Sequence, residues 1–239
     1  PLAKGDLKIQ GKLDGTVPAA GELNPDIVRK ALGLELQQEI EIEGLHLATR
    51  PPQLCSGCPH CDSYGALMQA MEGMERTLVT ADIGCYTLGA LPPYTSIESC
   101  VCMGASIGMA KGASDAGYRP AVAVIGDGTF LHSGITPLID AAAGNTDMTL
   151  LILDNEATAM TGGQEPLIPS SRLEQIVLGV GVDPDHFHVL TAHPKKVDQL
   201  AGVLRTEMEH KGLSVVIAIR EGIGTGQGKK ATAAVKATS

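Results

Sequence analysis

Residues 121–155, AVAVIGDGTFLHSGITPLIDAAAGNTDMTLLILDN, read as two apolar strands joined by one helix. AVAVIG (121–126) and MTLLILD (148–154) are strand-length apolar runs, and SGITPLIDAAAG (133–144), with its early Pro137, is helical in pattern. Each run ends in polar residues, Gly126-Asp127-Gly128 after the first and Asp154-Asn155 after the second. In a right-handed β-α-β unit both strands end at one edge of the sheet, where open α/β folds bind ligands. Asp127 and Asn155 at those tips offer two oxygen donors, which suits Mg²⁺ once backbone carbonyls and diphosphate oxygens complete its shell. The flanking Gly126 and Gly128 let a diphosphate approach the backbone, and amides near the next helix start can hold it. A Gly-Asp-Gly by itself is a common turn, and Asp-Asn at a strand end is commonly a cap; the pairing on adjacent tips is what carries weight.

The same alternation continues on both sides. The spacing predicts helices over 60–73, 103–117, 171–181 and 194–212, the last opened by Pro194, and strands over 77–82, 187–192 and 213–220. This is an α/β pattern: a three-layer fold with a parallel sheet and helices on both faces. The first fifty residues differ, being rich in turns before a helix capped by Asn24 with Pro25 at its first position. Residues 1–50 are therefore read as an arm or linker, 51–225 as the domain, and 226–239, GQGKKATAAVKATS, as a flexible tail. With two Phe, four Tyr and no Trp among 239 residues, small and aliphatic side chains must fill the core. A net charge of −9 argues against a nucleic-acid surface, which needs a basic stripe. No run of eighteen apolar residues occurs, so no membrane span is expected and the chain is placed in the cytoplasm.

All six cysteines, Cys55, Cys58, Cys61, Cys85, Cys100 and Cys102, fall within one third of the chain. Clustered thiols in a cytoplasmic protein point to a metal centre or redox chemistry rather than to disulfides. Cys55, Cys58 and Cys61 repeat the C-x₂-C-x₂-C of bacterial ferredoxins; the alternatives are a structural zinc and thiols that simply pack, as read for Cys100 and Cys102. His132 stands at the helix start after Gly-Asp-Gly, in reach of a diphosphate or substrate. His186, His188, His193 and His210 lie away from every motif and are read as surface or loop residues.

Gly-Asp-Gly followed by Asn at this distance fits the thiamine diphosphate motif. The segments LCSGCPH, DIGCYTLGALPP, CVCMGASIGMAKG, VAVIGDGTFLHSGI and LILDNEATAMTGGQ, in this order, closely resemble the alpha subunits of indolepyruvate:ferredoxin oxidoreductases, within the thiamine diphosphate-dependent 2-oxoacid:ferredoxin oxidoreductase family. The likeness spans roughly residues 11–220. It implies a thiamine diphosphate-binding fold and oxidative decarboxylation of a 2-oxoacid, indolepyruvate or another arylpyruvate, with coenzyme A to acyl-CoA, CO₂ and reduced ferredoxin. By position it implies Mg²⁺ on Asp127, Asn155 and the Ala157 carbonyl, and a cofactor pocket including Gly126, Gly128, Thr129, Met160, Thr161, Cys85 and Gly104. His60 and His132 become the candidate catalytic residues. Cys55, Cys58 and Cys85 match the ligand set of a [4Fe–4S] cluster, with Cys61, a departure from the usual residue there, as a substitute fourth ligand.

Other departures bear on assembly. The family's upstream pyrimidine-binding domain, its ylid-forming glutamate and its downstream ferredoxin-like domain have no counterpart in this sequence. The resemblance then implies partners: a subunit bringing the pyrimidine domain and glutamate, a gamma-type subunit, and a ferredoxin-like iron–sulfur subunit. Two alternatives remain open, a non-redox split-subunit 2-oxoacid decarboxylase, and a cysteine-rich scaffold on a degenerate thiamine fold.

Overall fold

The computed structural model describes residues 10–21, 23–36, 52–161 and 163–222. Contacts group the chain into two units, Pro1–Arg50 and Pro51–Ser239. In the first, helix α1 (Pro25–Ala31) starts where expected: Asn24 Oδ1 accepts the Ile27 N–H at 3.0 Å and Pro25 takes the first helical position, where its missing N–H costs nothing. No residue of α1 is buried. The rest of the arm, 37–50, and the tail 226–239 lie outside the described residues.

The second unit runs α2 (Pro59–Met71), β1 (Leu78–Ala81), β2 (Ser99–Cys100), α3 (Ala105–Asp115), β3 (Ala121–Gly126) and the short turn α4 (Asp127–Thr129). A π-helical segment Phe130–Gly134 then leads into α5 (Ile135–Ala143), β4 (Met148–Asp154), α6 (Ser170–Gly179), β5 (Phe187–Thr191), α7 (Val197–Glu209) and β6 (Leu213–Ile219). β3 and β4 have the bounds the sequence predicts. The helix expected over 194–212 begins later, because Pro194–Lys196 form a 3₁₀ turn that His193 closes by accepting the Lys195 N–H. The two-residue β2 has no apolar run to announce it, and the sequence reading missed it.

Among the described residues the six strands of the sheet are all parallel, in the order β2-β1-β3-β4-β6-β5. β3 and β4 are buried along their whole lengths, and successive side chains serve opposite layers. Val122, Val124, Leu151 and Leu153 pack with Leu67 of α2 and with Leu200 and Leu204 of α7. Ala121, Ala123, Ile125, Leu150 and Ile152 pack with Ile107 of α3, Leu138 of α5, and Leu173 and Val177 of α6. That is the three-layer arrangement, with aliphatic side chains filling both cores. From β1 the chain passes outward to β2 and then returns to β3 on the other side, so β1 and β3 flank the point where strand order reverses. Ligands of such sheets bind at the carboxyl ends of the strands there.

The histidines read as surface or loop residues include a half-buried pair on a buried carboxylate, at the opposite edge. Glu207 of α7 is almost wholly buried and accepts from Ser214 Oγ at 2.7 Å, with His186 Nδ1 at 2.9 Å and His188 Nε2 at 2.7 Å on its two oxygens. His210 stacks on His186 with ring centroids 3.4 Å apart. Burial pulls the Glu207 carboxyl up, but the bonds from Ser214, His186 and His188 outweigh it and hold it below the usual range. Its contribution to stability is therefore present above the ordinary glutamate value and is lost as pH falls through the lowered one. Glu207→Ala is expected to cost about 1–3 kcal/mol at neutral pH, read by urea denaturation, because the buried Ser214 hydroxyl and the half-buried His186 and His188 lose their acceptor.

Candidate active site

The strand register brings together residues that the sequence placed only approximately. Gly126 pairs with Leu153, so one step further Asp127 stands opposite Asp154, with Asn155 following. Asp127, Asp154 and Asn155 are all buried. Asp154 was legible as the last residue of its run, yet the sequence reading gave it no role. Its Oδ1 accepts the Glu156 N–H at 2.9 Å, and Glu156 sits in the left-handed region at φ +54°. The Asp154 and Asn155 carbonyls accept the N–H groups of Arg220 at 3.0 Å and Gly222 at 2.9 Å. The β4 tip is thus fixed by the segment that follows β6.

Burial first, then the charge of Asp154, push the Asp127 carboxyl up to about 7 against the pull of the Gly128 amide, with Glu156 adding a smaller push. Among the described residues no Lys, Arg or His pairs with Asp127 or Asp154. Two buried carboxylates and an amide with no basic partner form a donor set suited to a hard divalent cation.

A cavity of about 420 Å³ opens over these tips. Its wall includes His60, Cys85, Gly126, Asp127, Gly128, Thr129, His132, Asn155, Ala157 and Met160, ten of the residues the sequence nominated. Met103 and Leu167 also line it, and with Met160 they form an exposed apolar rim. A methyl on Gly128 would meet nothing closer than Thr158 Oγ1 at 3.9 Å, so this backbone is open to a ligand. Gly126 is different: its missing side chain makes room for the Tyr86 ring, with Cε1 2.5 Å from where a Cβ would stand. Gly104 does not line the cavity. It caps α3 at φ +86° and lies where a Cβ would strike Ser133, so its role is packing. Gly162 lies outside the described residues, and the loop around it is closed by the Thr158 N–H on Gln164 O at 2.9 Å.

His60 is buried beneath the cavity, edge-on to Tyr86 with centroids 6.3 Å apart, and burial lowers its pKa to about 4. It is a neutral imidazole at physiological pH. His132 is exposed at the mouth, its Nδ1 3.1 Å from Ser133 Oγ. Tyr86 is held by its hydroxyl on Ile83 O at 3.3 Å, while its carbonyl accepts Tyr64 OH at 2.6 Å. Asp82, at the end of β1, went unnoticed in the sequence; its carboxylate accepts Ser106 N–H and Oγ–H at 2.7 Å each, pinning the start of α3 beside the cavity.

Cys85 is the one cysteine in the cavity wall. Burial raises its thiol, with Cys55 adding to the effect. Cys58 is pushed up to about 11, first by burial and then by Cys61, Cys55 and Cys85, so these four thiols share one neighbourhood. Among the described residues no three His, Cys, Asp or Glu side chains converge as ligands of a single metal ion. Cys100 is half-buried with its Sγ 3.4 Å from Asp82 O, whereas Cys102 is exposed rather than packed.

Buried oxygen donors on the tips of β3 and β4, beside the β1–β3 reversal of strand order and below a cavity with an open glycine backbone, mark an α/β domain whose ligand site lies at the carboxyl ends of its strands. Residues 82–218 match the family described as thiamine pyrophosphate enzyme, C-terminal TPP binding domain, and the chain belongs to that family. Thiamine pyrophosphate is thiamine diphosphate by its other name. The chain is 39% identical over 235 residues to a Methanothermobacter thermautotrophicus protein named indolepyruvate oxidoreductase subunit IorA, covering 90% of this chain and 37% of that protein. An Archaeoglobus fulgidus protein of the same name is 37% identical over 237 residues, with the same coverage. The chain thus spans little more than a third of the length of these relatives. A solved 2-oxoglutarate:ferredoxin oxidoreductase from Magnetococcus marinus shares the fold, with a TM-score of 0.59 at 21% identity over 80% of this chain and 74% of that one. Among the described residues no helix is long and apolar enough to cross a membrane.

Proposed function

We propose that this chain is the thiamine diphosphate-binding part of a multi-subunit 2-oxoacid:ferredoxin oxidoreductase, acting on indolepyruvate or another arylpyruvate with coenzyme A and passing electrons to ferredoxin. The observation that carries the reading is the buried Asp127–Asn155 pair, reinforced by Asp154, facing the cavity beneath an open Gly128. Asp127, Asn155 and the Ala157 carbonyl would hold Mg²⁺, and the amides opening the helical run after β3 would receive the diphosphate. Bound thiamine diphosphate supplies the carbon nucleophile and the electron sink. The neutral His60 gives or takes a hydrogen bond at the cavity floor without adding charge, and Tyr86 closes one wall against water. His132 at the mouth is placed to meet substrate as it enters.

Cys55, Cys58 and Cys85, with Cys61 as fourth ligand, would hold a [4Fe–4S] cluster beside the cofactor; their thiols must lose protons on binding it. The exposed rim of Met103, Met160 and Leu167 fits coverage by the subunit bearing the pyrimidine domain and its glutamate. Gamma-type and ferredoxin-like subunits, in a cytoplasmic assembly, complete the proposal. The test is cofactor analysis of the complex purified anaerobically. About one thiamine diphosphate and one Mg²⁺ per chain, with iron in steps of about four, is the expected result. Thiamine without iron would favour the non-redox decarboxylase, and absence of both thiamine and magnesium would remove the reading.

A further inference from the structure

Arg220, the residue after β6, joins parts of the domain that are far apart in sequence. Its N–H donates to Asp154 O at 3.0 Å, at the tip of β4. Its side chain reaches the other way: Nη1 lies 2.8 Å from Asp62 Oδ2, and Nη2 donates to Gly57 O at 2.9 Å. Gly57, at φ +75°, lies inside the Cys55-Ser-Gly-Cys58 turn, which is closed by the Cys58 N–H on Cys55 O at 3.0 Å. The Arg220 and Asp62 side chains are only 19% and 15% exposed, so solvent screens their attraction far less than that of a surface pair. A planar guanidinium holds two acceptors in fixed directions, which a lysine cannot do. One residue therefore touches the thiol loop with its side chain and the β4 tip with its backbone.

We propose that Arg220 is a positioning residue that couples the Cys55–Cys58 loop to the Asp154–Asn155 tip, so that cofactor binding at the tip tightens the thiol loop. The coupling rests on the tip being the magnesium–thiamine diphosphate site. The two ends are linked by a contiguous run of hydrogen bonds, the kind of physical connection that energetic coupling requires. The strut does not itself touch substrate or cofactor.

The test uses the purified complex, with iron first stripped by chelation so that the thiols are free. Iodoacetamide alkylation of Cys55 and Cys58 is followed by peptide mass spectrometry, with and without Mg²⁺ and thiamine diphosphate, while calorimetry reports cofactor binding. In the wild type the cofactor is expected to slow alkylation about fivefold or more, the lower end of typical coupling between sites. Arg220→Lys should keep part of this protection, and Arg220→Gln should lose it while still binding cofactor. Undiminished protection in Arg220→Gln overturns the proposal, as does a wild type that binds cofactor with no change in alkylation. If Arg220→Gln does not fold, Arg220→Lys and Asp62→Asn carry the test: both must weaken the protection, and full protection in both overturns it. If the wild type binds no cofactor, the functional reading fails separately. The strut is then judged on the basal rate, which must be faster in Arg220→Gln; equal rates overturn it.

Discussion

Asp127→Asn is expected to stabilise the cofactor-free protein at neutral pH while nearly abolishing its affinity for magnesium and thiamine diphosphate. The two effects have one cause. Folding raises the Asp127 carboxyl to about 7, through burial and then through Asp154 and Glu156. A group raised in this way contributes stability that is whole below its unfolded value, near 4, and is lost as pH rises through the folded value. Between about pH 4 and pH 7 the cofactor-free wild type should therefore lose on the order of a few kcal/mol that the Asn variant keeps. Bound Mg²⁺ reverses the sign by favouring the carboxylate. Without that charge the ion loses its one anionic ligand at the β3 tip, a cost of about 3–5 kcal/mol or roughly 10²–10⁴-fold in affinity. Denaturation from pH 4 to 8 in the presence of a chelator, with calorimetric titration of the cofactor, reads both effects. Equal pH slopes would mean that folding does not raise the Asp127 carboxyl, and equal affinities would mean that Asp127 is not the ion-binding carboxylate.

The two glycines beside Asp127 should separate packing from binding. Gly126→Ala places a methyl 2.5 Å from Tyr86 Cε1 and 3.0 Å from Cδ1. The ring has little freedom to yield, being buried and tied through its hydroxyl to Ile83 and through its carbonyl to Tyr64. Overpacking of this kind costs about 1–3 kcal/mol, so the midpoint of urea unfolding should fall even without cofactor. Gly128→Ala meets nothing within ordinary contact except Thr158 Oγ1 at 3.9 Å, and the cofactor-free fold should barely change. Its methyl projects where a diphosphate would lie, so cofactor affinity should drop by about tenfold or more. If Gly128→Ala binds the cofactor as the wild type does, the diphosphate lies elsewhere.

How far the sequence could be read followed the chemistry of each segment. β3 and β4 were legible to the residue because each is an unbroken apolar run closed by a polar residue. The tips were legible as a pair, but their register was not, since nothing in either run says which residue of one faces which of the other. That is why Asp154 was passed over although it stands opposite Asp127. That Gly126 also makes room for the Tyr86 ring was not legible, because that ring lies on a different loop. His186, His188 and His210 gave no local signal; only the parallel pairing of β5 with β6, and the packing of α7 beneath them, brings Glu207 among them. Arg220 was equally silent, its partners Gly57 and Asp62 being contributed by the opposite end of the domain.

The strand order also governs how the molecule is made. β5 is synthesised before β6, yet in the finished sheet it pairs with β6, which separates it from β4. During synthesis β3 and β4 can join as soon as α5 lies between them, whereas β5 has no neighbour to bind until β6 emerges. The Asp127 and Asn155 tips therefore exist on the growing chain before the backbone of β4 is covered on its far side. Over that interval its open edge is the segment most exposed to wrong pairing.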